Sequence, residues 1–245
     1  MVVDKNDMAY WFPKLLLSEQ PVPKTIIIHT AIGLWEMLYG MEPDGLDEFV
    51  AEIKHALTIL GTPAFFRTGH TSGKHNAKQT CFLTKASRIS AHIFALVEES
   101  FMATPGLPIG TWAVREMLEF GLPTAFTAFN GLPIKMERRY IFRDGKVEHH
   151  RPYWPQEVFQ SNYYGMTLPD NWEQLLRLIN FESKGEVLDL TARTKEVAKQ
   201  FSGWWSVDWI NTKIGWVAID MARGEDSWGN DYQLGELERR NIEVP

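Results

Sequence analysis

The strongest constraint on the fold is a hairpin signal in the middle of the chain. Residues 137–152, ERRYIFRDGKVEHHRP, place an Asp-Gly pair between two strand-like segments. Such a pair is typical of a tight antiparallel turn. Near the end of the chain, residues 204–210 (WWSVDWI) and 215–220 (GWVAID) also read as two strands separated by a short turn. We therefore predict that the second half of the chain is rich in antiparallel strands.

The first half alternates amphipathic helices with short strands. In residues 44–61, apolar side chains recur on one face of a helix. Further segments have helical or strand-like patterns: strands at 24–30, 64–68, 79–84 and 111–118, and helices at 85–101 and 189–201. This layout predicts an α+β fold with two lobes joined near residue 114. The expected divisions are an N-terminal cap segment (1–44), an N-terminal lobe (45–114) and a C-terminal lobe (115–245).

Composition excludes several classes of protein. The 245 residues carry a net charge of -6, which argues against general binding to nucleic acid. Cys81 is the single cysteine, so an intrachain disulfide and a multi-cysteine zinc site are excluded. No apolar run approaches the roughly 20 residues that span a bilayer. The first residues lack the pattern of a signal peptide, and we expect a cytoplasmic protein without a membrane partner.

A glycine-rich polar turn, FFRTGHTSGKHNAKQT at 65–80, resembles a phosphate-binding loop. It does not fit the Walker A motif, because three residues instead of four separate Gly69 from Gly73, and Lys74 is followed by His75. A strand rather than a helix is predicted to follow. Two interpretations stay open: the turn covers phosphates with its backbone N–H groups and a lysine, or it is a solvated hairpin turn.

Charged residues on the predicted strands are candidates for a binding site. Alternation along a strand puts Glu137 and Arg139 on one face and Arg138 on the other. An arginine beside a carboxylate makes a forked phosphate ligand, although a solvated face explains the pattern equally well. Asp208 and Asp220 lie on adjacent strands, where they can hold Mg²⁺ together with phosphates or pair with basic residues.

Taken in order, these residues resemble the ATP-grasp superfamily. The pattern comprises Arg67 at a strand end, Lys74 in a turn, the linking strand WAVREML, a Glu-x-Arg strand (Glu137 and Arg139), and acids on two closing strands. It covers roughly residues 45–230. The chain looks most similar to compact, divergent members from phages and bacteria. It is also similar to the eukaryotic ATP-grasp chaperones that assemble a translation-initiation factor.

The resemblance implies that ATP and Mg²⁺ bind between two lobes of mainly antiparallel sheet. The residues that it implies for ATP are Arg67, Lys74, Lys78, Arg115, Glu116, Met117, Glu119, Glu137 and Arg139. Lys74 and Arg139 would take part in catalysis, and Asp208, Asp220 and Glu225 would hold the metal. Two departures stand out: Arg67 replaces the usual lysine, and Ala222 replaces the asparagine of the closing Glu-x-Asn motif.

The implied activity is ATP-dependent ligation of a carboxylate to an amine through an acyl phosphate. The alternative is an ATP-binding assembly factor with little turnover, which the absent asparagine favours. Partners would be a small-molecule carboxylate and amine, or a protein substrate. We expect His149, His150 and Arg151 to hold an acidic substrate, unless they form a solvated strand edge. The aromatic and amide-rich segment 160–186 would suit a substrate lid or an interface.

Overall fold

The computed structural model describes residues 4–103, 106–120, 125–160 and 166–227. Predictions for residues 228–245, and for part of segment 160–186, lie outside these ranges. The α-helices are α1 (Met8–Leu16), α2 (Leu46–Leu60), α3 (Ile89–Met102), α4 (Glu157–Gln160), α5 (Trp172–Asn180) and α6 (Lys184–Ala198). The strands are β1 (Thr25–His29), β2 (Ala64–Thr68), β3 (Phe82–Leu83), β4 (Thr111–Glu116), β5 (Phe126–Ala128), β6 (Leu132–Ile134), β7 (Glu137–Arg143), β8 (Lys146–Pro152), β9 (Trp204–Thr212) and β10 (Gly215–Arg223). The predicted α+β class is confirmed.

The first sheet has the strand order β1-β4-β2-β3, and every neighbouring pair is antiparallel. Helix α2 buries the apolar face predicted from its periodicity, and it packs with α3 on this sheet. Phe66 of β2 and Trp112 of β4 stack in this core with their ring centroids 5.2 Å apart. Strand β1, which comes from the first 44 residues, pairs with β4 along its whole length.

The second sheet has the order β10-β9-β7-β8 and is also antiparallel throughout. It contains the hairpin predicted from the Asp-Gly turn, with Asp144 and Gly145 at positive φ. Helix α6 and helix α1 cover this sheet, and Trp11, Trp205 and Trp209 are fully or almost fully buried in its core. Tryptophan burial of this extent contributes strongly to stability because each ring removes a large apolar area from water.

A small hairpin, β5–β6, forms the third core cluster together with α4 and α5. The glycine-rich turn packs on this hairpin. The backbone N–H of Ala77 donates to Phe129 O (3.3 Å), and that of Lys78 donates to Asn130 O (3.2 Å). These bonds attach the turn to the wall that β5–β6 provides.

Three elements differ from the sequence-based predictions. The strand expected at 79–84 is only Phe82–Leu83, because Thr80 instead closes a tight turn by bonding Gly73 O and Asn76 O. Residues 1–23 of the N-terminal cap segment, whose sequence is loop-like with short helical possibilities, contain helix α1. Helix α6 begins five residues before the predicted start, since Ser183 caps its N-terminus by accepting a hydrogen bond from Glu186 N.

Across the ranges given above, no helix combines the length and the apolar character needed to cross a bilayer.

Candidate functional site

A cleft of about 840 Å³, part of it open to solvent, lies between the two sheets. Its lining contains both charged and apolar side chains. The charged lining side chains are Arg67, Lys74, Arg115, Glu116, Glu137, Asp208 and Asp220. These seven residues, predicted from the sequence as site residues, are thus brought together from both halves of the chain. Met117, the eighth, lies on the apolar wall.

The apolar wall of the cleft is built from strand and loop side chains of both lobes: Phe65, Phe82, Met117, Leu118, Phe120, Leu132, Pro133, Ile210 and Ile219. The rings of Phe65 and Phe82 make an edge-to-face contact at 6.2 Å. A concave apolar wall next to a few polar groups is typical of a small-molecule site. These apolar side chains suit a flat aromatic ring, and the charged side chains of the cleft suit an anion.

An ion pair crosses the cleft between Arg67 on β2 and Asp220 on β10. Arg67 Nη1 donates to Asp220 Oδ1 at 2.9 Å, and Arg67 Nε donates to its neighbour Thr68 O at 3.0 Å. Burial by itself raises the pKa of Asp220, but the charges of Arg67 and Arg115 outweigh it and hold that pKa below its ordinary value. The carboxylate is therefore ionised at neutral pH.

A second ion pair lies within the second sheet. Arg139 on β7 and Asp208 on β9 are directly opposite in the register. They form a forked interaction, with both Nε–Oδ1 and Nη2–Oδ2 at 2.7 Å. Burial lowers the pKa of Arg139, yet the Asp208 carboxylate more than offsets this and raises it. The forked geometry fixes the guanidinium plane.

Lys74 of the glycine-rich turn contacts two aromatic residues that follow β8. Its ammonium group hydrogen-bonds the Tyr153 hydroxyl and lies 4.0 Å from the Tyr153 ring centroid and 5.1 Å from that of Trp154. Burial lowers the pKa of Lys74, but Tyr153 and the Glu137 carboxyl outweigh it, so the net shift is upwards. The Lys74 amine therefore stays charged, and it donates to the Tyr153 hydroxyl.

Glu137, the first residue of β7, is one of the charged side chains that line the cleft. Trp154 Nε1 donates to its Oε1 at 3.1 Å. Burial raises the pKa of Glu137 to about 7, with Lys74 opposing the shift and Asp208 adding to it. A buried carboxyl that titrates near neutral pH is a recurring feature of functional sites.

Arg115, at the end of β4, has a different environment from the other cations. Its Nε donates to Thr25 Oγ1 (3.2 Å) and its Nη1 to Ile219 O (2.6 Å), whereas its buried Nη2 has no hydrogen-bond partner within the described ranges. Burial and the neighbouring Arg67 lower the pKa of Arg115 to about 9, against the opposing effect of Asp220.

Other predicted ATP residues have partners elsewhere. Glu116 Oε1 accepts from Lys24 N at 2.8 Å, although the residue still lines the cleft. Glu119 is exposed and pairs with Lys213 at 2.8 Å. Lys78 is exposed, and its stem passes so close to Gly131 that a β-carbon there would lie 2.6 Å from Lys78 Cε.

Asp208 and Asp220 are register partners on adjacent strands, as the sequence predicted. Glu225 is not brought to them: it pairs with Arg223 at a separate surface depression beside Trp204. Within the part of the chain that the structure describes, no cluster of three or more acidic, histidine or cysteine side chains could hold a metal. Two facing carboxylates nevertheless fit Mg²⁺, which takes one or two protein carboxylates and completes its shell with phosphates and water.

The expected substrate residues on β8 divide between the two faces of the sheet. Arg151 is opposite Arg139 and His149 is opposite Ile141, so both lie on the face that carries Arg139. Arg151 is buried. His150 lies on the other face, where it stacks on Tyr140 and its Nδ1 is 3.0 Å from Glu182.

Sequence reasoning did not identify Tyr153 and Trp154 as contacts of Lys74 and Glu137. The only signal for them was their position in the aromatic sequence PYWP directly after β8. The sequence also did not indicate a partner for Arg138. This arginine is fully buried behind β7, where Glu186 and the carbonyls of Ile179 and Phe181 accept its hydrogen bonds.

Two antiparallel lobes, a cleft between them, and acids on the closing strands define the ATP-grasp fold, and comparison with solved structures confirms that this chain has it. The likeness extends to Cdc123 from Schizosaccharomyces pombe, with 14% identity, a TM-score of 0.56, and coverage of 98% of this chain and 94% of that one.

Two other solved structures share the fold. One is a RimK domain ATP-grasp protein from Sphaerobacter thermophilus (12% identity, TM-score 0.50, 96% of this chain and 63% of that one). The other is N5-carboxyaminoimidazole synthase from Aspergillus clavatus, whose structure holds ADP and an aminoimidazole ribonucleotide (9% identity, TM-score 0.53, 94% of this chain and 47% of that one). The chain thus spans less than two thirds of these two proteins. No protein-family model matches the sequence, and no curated protein matches it.

Proposed function

We propose that this protein is an ATP-dependent ligase that joins a carboxylate to an amine. The observation that supports it is the lining of one cleft, where Arg67 and Lys74 from the first half of the chain meet Asp208 and Asp220 from the second. Cations for phosphate and carboxylates for magnesium are the two donor sets that phosphoryl transfer requires. ATP-grasp structures with ADP bound agree with a nucleotide as the ligand.

The apolar wall and the charged lining of the cleft match the adenine ring and the triphosphate of ATP. The adenine ring would lie against the apolar wall and accept or donate hydrogen bonds at the backbone of residues 116–118. The triphosphate would lie at the charged lining, where Arg67 and Lys74 provide donors. Asp208 and Asp220 would hold Mg²⁺, which supplies charge neutralisation for the phosphates.

The ion pairs of the cleft have a role in this proposal. Without a nucleotide, Arg67 and Arg139 are neutralised by Asp220 and Asp208. When the nucleotide binds, the two arginines would exchange these carboxylates for phosphate oxygens. The arginines are therefore already in position, and little reorganisation is needed on binding.

The reaction would transfer the γ-phosphate to a substrate carboxylate, leaving ADP. Arg139 and Lys74 would stabilise the charge on the transferred group. An amine then attacks the acyl phosphate, and the products are an amide and inorganic phosphate. On the same face as Arg139, Arg151 and His149 would bind the acidic substrate, whereas His150 is engaged with Glu182 on the opposite face.

Release of ADP tests the ligase proposal. The protein is incubated with ATP, Mg²⁺ and pools of amino acids and small carboxylic acids, and peptides are included as candidate protein-derived substrates. ADP that forms only with a particular acid and amine supports ligation, and Arg139→Met should abolish it. The matched control is Arg193→Met, which removes a partly exposed arginine on α6 that pairs with Asp189, and it should retain ADP release.

A second candidate is an ATP-binding assembly factor with little turnover. Two observations favour it: the near-complete mutual coverage with Cdc123, and Ala222 at the position of the family's asparagine. Under this alternative, ATP binds tightly and no pool of acids and amines releases ADP. That result would contradict the ligase proposal directly.

A further inference from the structure

The cations that line the cleft are not all matched by carboxylates. Arg67 pairs with Asp220, and Lys74 lies within the electrostatic reach of Glu137. Outside the lining, Arg139 pairs with Asp208, another lining acid. Among the described residues, Arg115 donates to neutral acceptors, Thr25 Oγ1 and Ile219 O, and its guanidinium lies 5.8 Å from the Phe12 ring centroid. One carboxylate, Asp220, therefore serves two guanidinium groups, and it contacts only that of Arg67.

The Arg115 guanidinium is held rigidly from both lobes. Thr25 belongs to β1 of the first sheet. Ile219 lies at a bulge in β10 of the second sheet, where the register shifts between Ala218 and Asp220. This bulge turns the Ile219 carbonyl towards Arg115 Nη1. The side chain is only 3% exposed, so its orientation is set by the fold.

A buried guanidinium that no carboxylate contacts is unfavourable, because it loses hydration and gains only the more distant charge of Asp220. The buried Nη2 without a hydrogen-bond partner adds to that cost. Such an arrangement is stable in a folded protein only if other interactions offset it. An anionic ligand in the cleft would remove the cost and gain a charge-assisted hydrogen bond.

The place of Arg115 in the cleft identifies the part of the ligand that it meets. Arg115 directly precedes residues 116–118, of which Met117 and Leu118 belong to the apolar wall. It also lies close enough to Arg67 and Asp220 for their charges to act on its guanidinium. We propose that Arg115 is a dedicated contact for the phosphate group nearest to the base, and that it makes the site select nucleotides over nucleosides. Its Nη2 becomes accessible when Arg67 exchanges Asp220 for a phosphate oxygen.

This inference rests on the proposed nucleotide site, but it is tested without turnover. Binding of adenosine, AMP and inorganic pyrophosphate is measured by calorimetry for the parent protein, for Arg115→Met and Arg115→Lys, and for the control Arg193→Met on α6. In Arg115→Met, the preference for AMP over adenosine should fall roughly 10- to 150-fold, the value of a hydrogen bond to a charged group. Arg115→Lys should keep part of the preference, and Arg193→Met all of it.

A merely structural role predicts a different pattern, in which Arg115→Met weakens adenosine and AMP equally. That result, or an unchanged preference in Arg115→Met, would overturn the inference. A parent protein that binds adenosine as well as AMP would also overturn it. If AMP and pyrophosphate bind in an Arg115-dependent way but no substrate pool yields ADP, the inference stands and the ligase proposal fails.

Discussion

Arg67 Nη1 lies 2.9 Å from Asp220 Oδ1, and this contact joins a strand of the first sheet to a strand of the second across 153 residues of sequence. Arg67 is buried, whereas the Asp220 side chain is 40% exposed. The pair therefore links the two lobes directly at the cleft.

Breaking this contact should destabilise the protein. Arg67→Met is expected to lower the free energy of unfolding by about 1–3 kcal/mol, less than for a fully buried pair because solvent screens Asp220. Urea denaturation of Arg67→Met, Asp220→Asn and the double variant gives the coupling energy. A coupling energy near zero would show that the contact does not hold the lobes together.

Asp208→Asn should impair both stability and nucleotide binding. It leaves the buried Arg139 without its carboxylate, at an expected cost of about 3–5 kcal/mol. It also removes a proposed magnesium ligand, so magnesium-dependent ATP binding or turnover should be lost. The two effects are separated by denaturation without ligand and by ATP titration with and without Mg²⁺.

The exposed Asp189→Asn on α6 is the matched control for Asp208→Asn, and it should change the stability by no more than about 0.5 kcal/mol. Asp220→Asn should share the loss of magnesium dependence. If Asp208→Asn and Asp220→Asn both bind and turn over ATP like the parent, the assignment of the metal to these residues is wrong.

Substitution of the adjacent residues Arg138 and Arg139 on β7 should affect different properties, stability in the first case and turnover in the second. Arg138→Met removes the partner of Glu186 and of two backbone carbonyls behind the sheet, so we expect a loss of stability of about 3–5 kcal/mol. The folded fraction should keep its ATP affinity, since Arg138 does not face the cleft. Arg139→Met should instead lose turnover. ATP titration and ADP release, both measured below the unfolding temperature of each variant, distinguish them. An altered affinity in Arg138→Met would contradict the face assignment.

Glu137 should make stability depend on pH. Burial raises its pKa from the ordinary 4.5 to about 7, so in that interval the folded state retains a proton that the unfolded chain releases. The free energy of unfolding contributed by this group therefore falls as the pH rises from 4.5 to 7, by roughly 2–3 kcal/mol in total.

Glu137→Gln should abolish that decrease, because the amide does not titrate and can still accept from Trp154. Thermal unfolding of the parent and of Glu137→Gln is compared at several pH values, with the exposed Glu52→Gln as the control. The difference between parent and Glu137→Gln should grow through the interval. A difference that is constant with pH would show that the carboxyl does not titrate there.

Local pattern was sufficient where the structure depends on neighbours in sequence. Alternation on β7 correctly put Arg139 and Arg138 on opposite faces, and the Asp-Gly turn gave the β7–β8 hairpin. The periodicity of residues 44–61 gave helix α2 within two residues at each end. Strand β2 was predicted with its observed bounds. In each case, short-range geometry decides which side chains share a face.

Tertiary contacts decided the rest. The strand expected at 79–84 shortened because the turn before it bonds to the β5–β6 hairpin, which sequence pattern did not link to it. Lys74 reaches Tyr153, a residue 79 positions away, and no local signal encodes that distance. Glu225 follows β10 closely in sequence but turns to Arg223 on another surface.

The sequence alone determined which residue types lie on which strand face, and their order was enough to indicate an ATP-grasp fold. It did not determine which cation meets which carboxylate, because pairing across a cleft depends on how two separately packed sheets approach each other. Only the tertiary structure matched Arg67 with Asp220 and left Arg115 Nη2 without a hydrogen-bond partner among the described residues. Burial, which sets the charge balance of the site, is a property of the assembled fold.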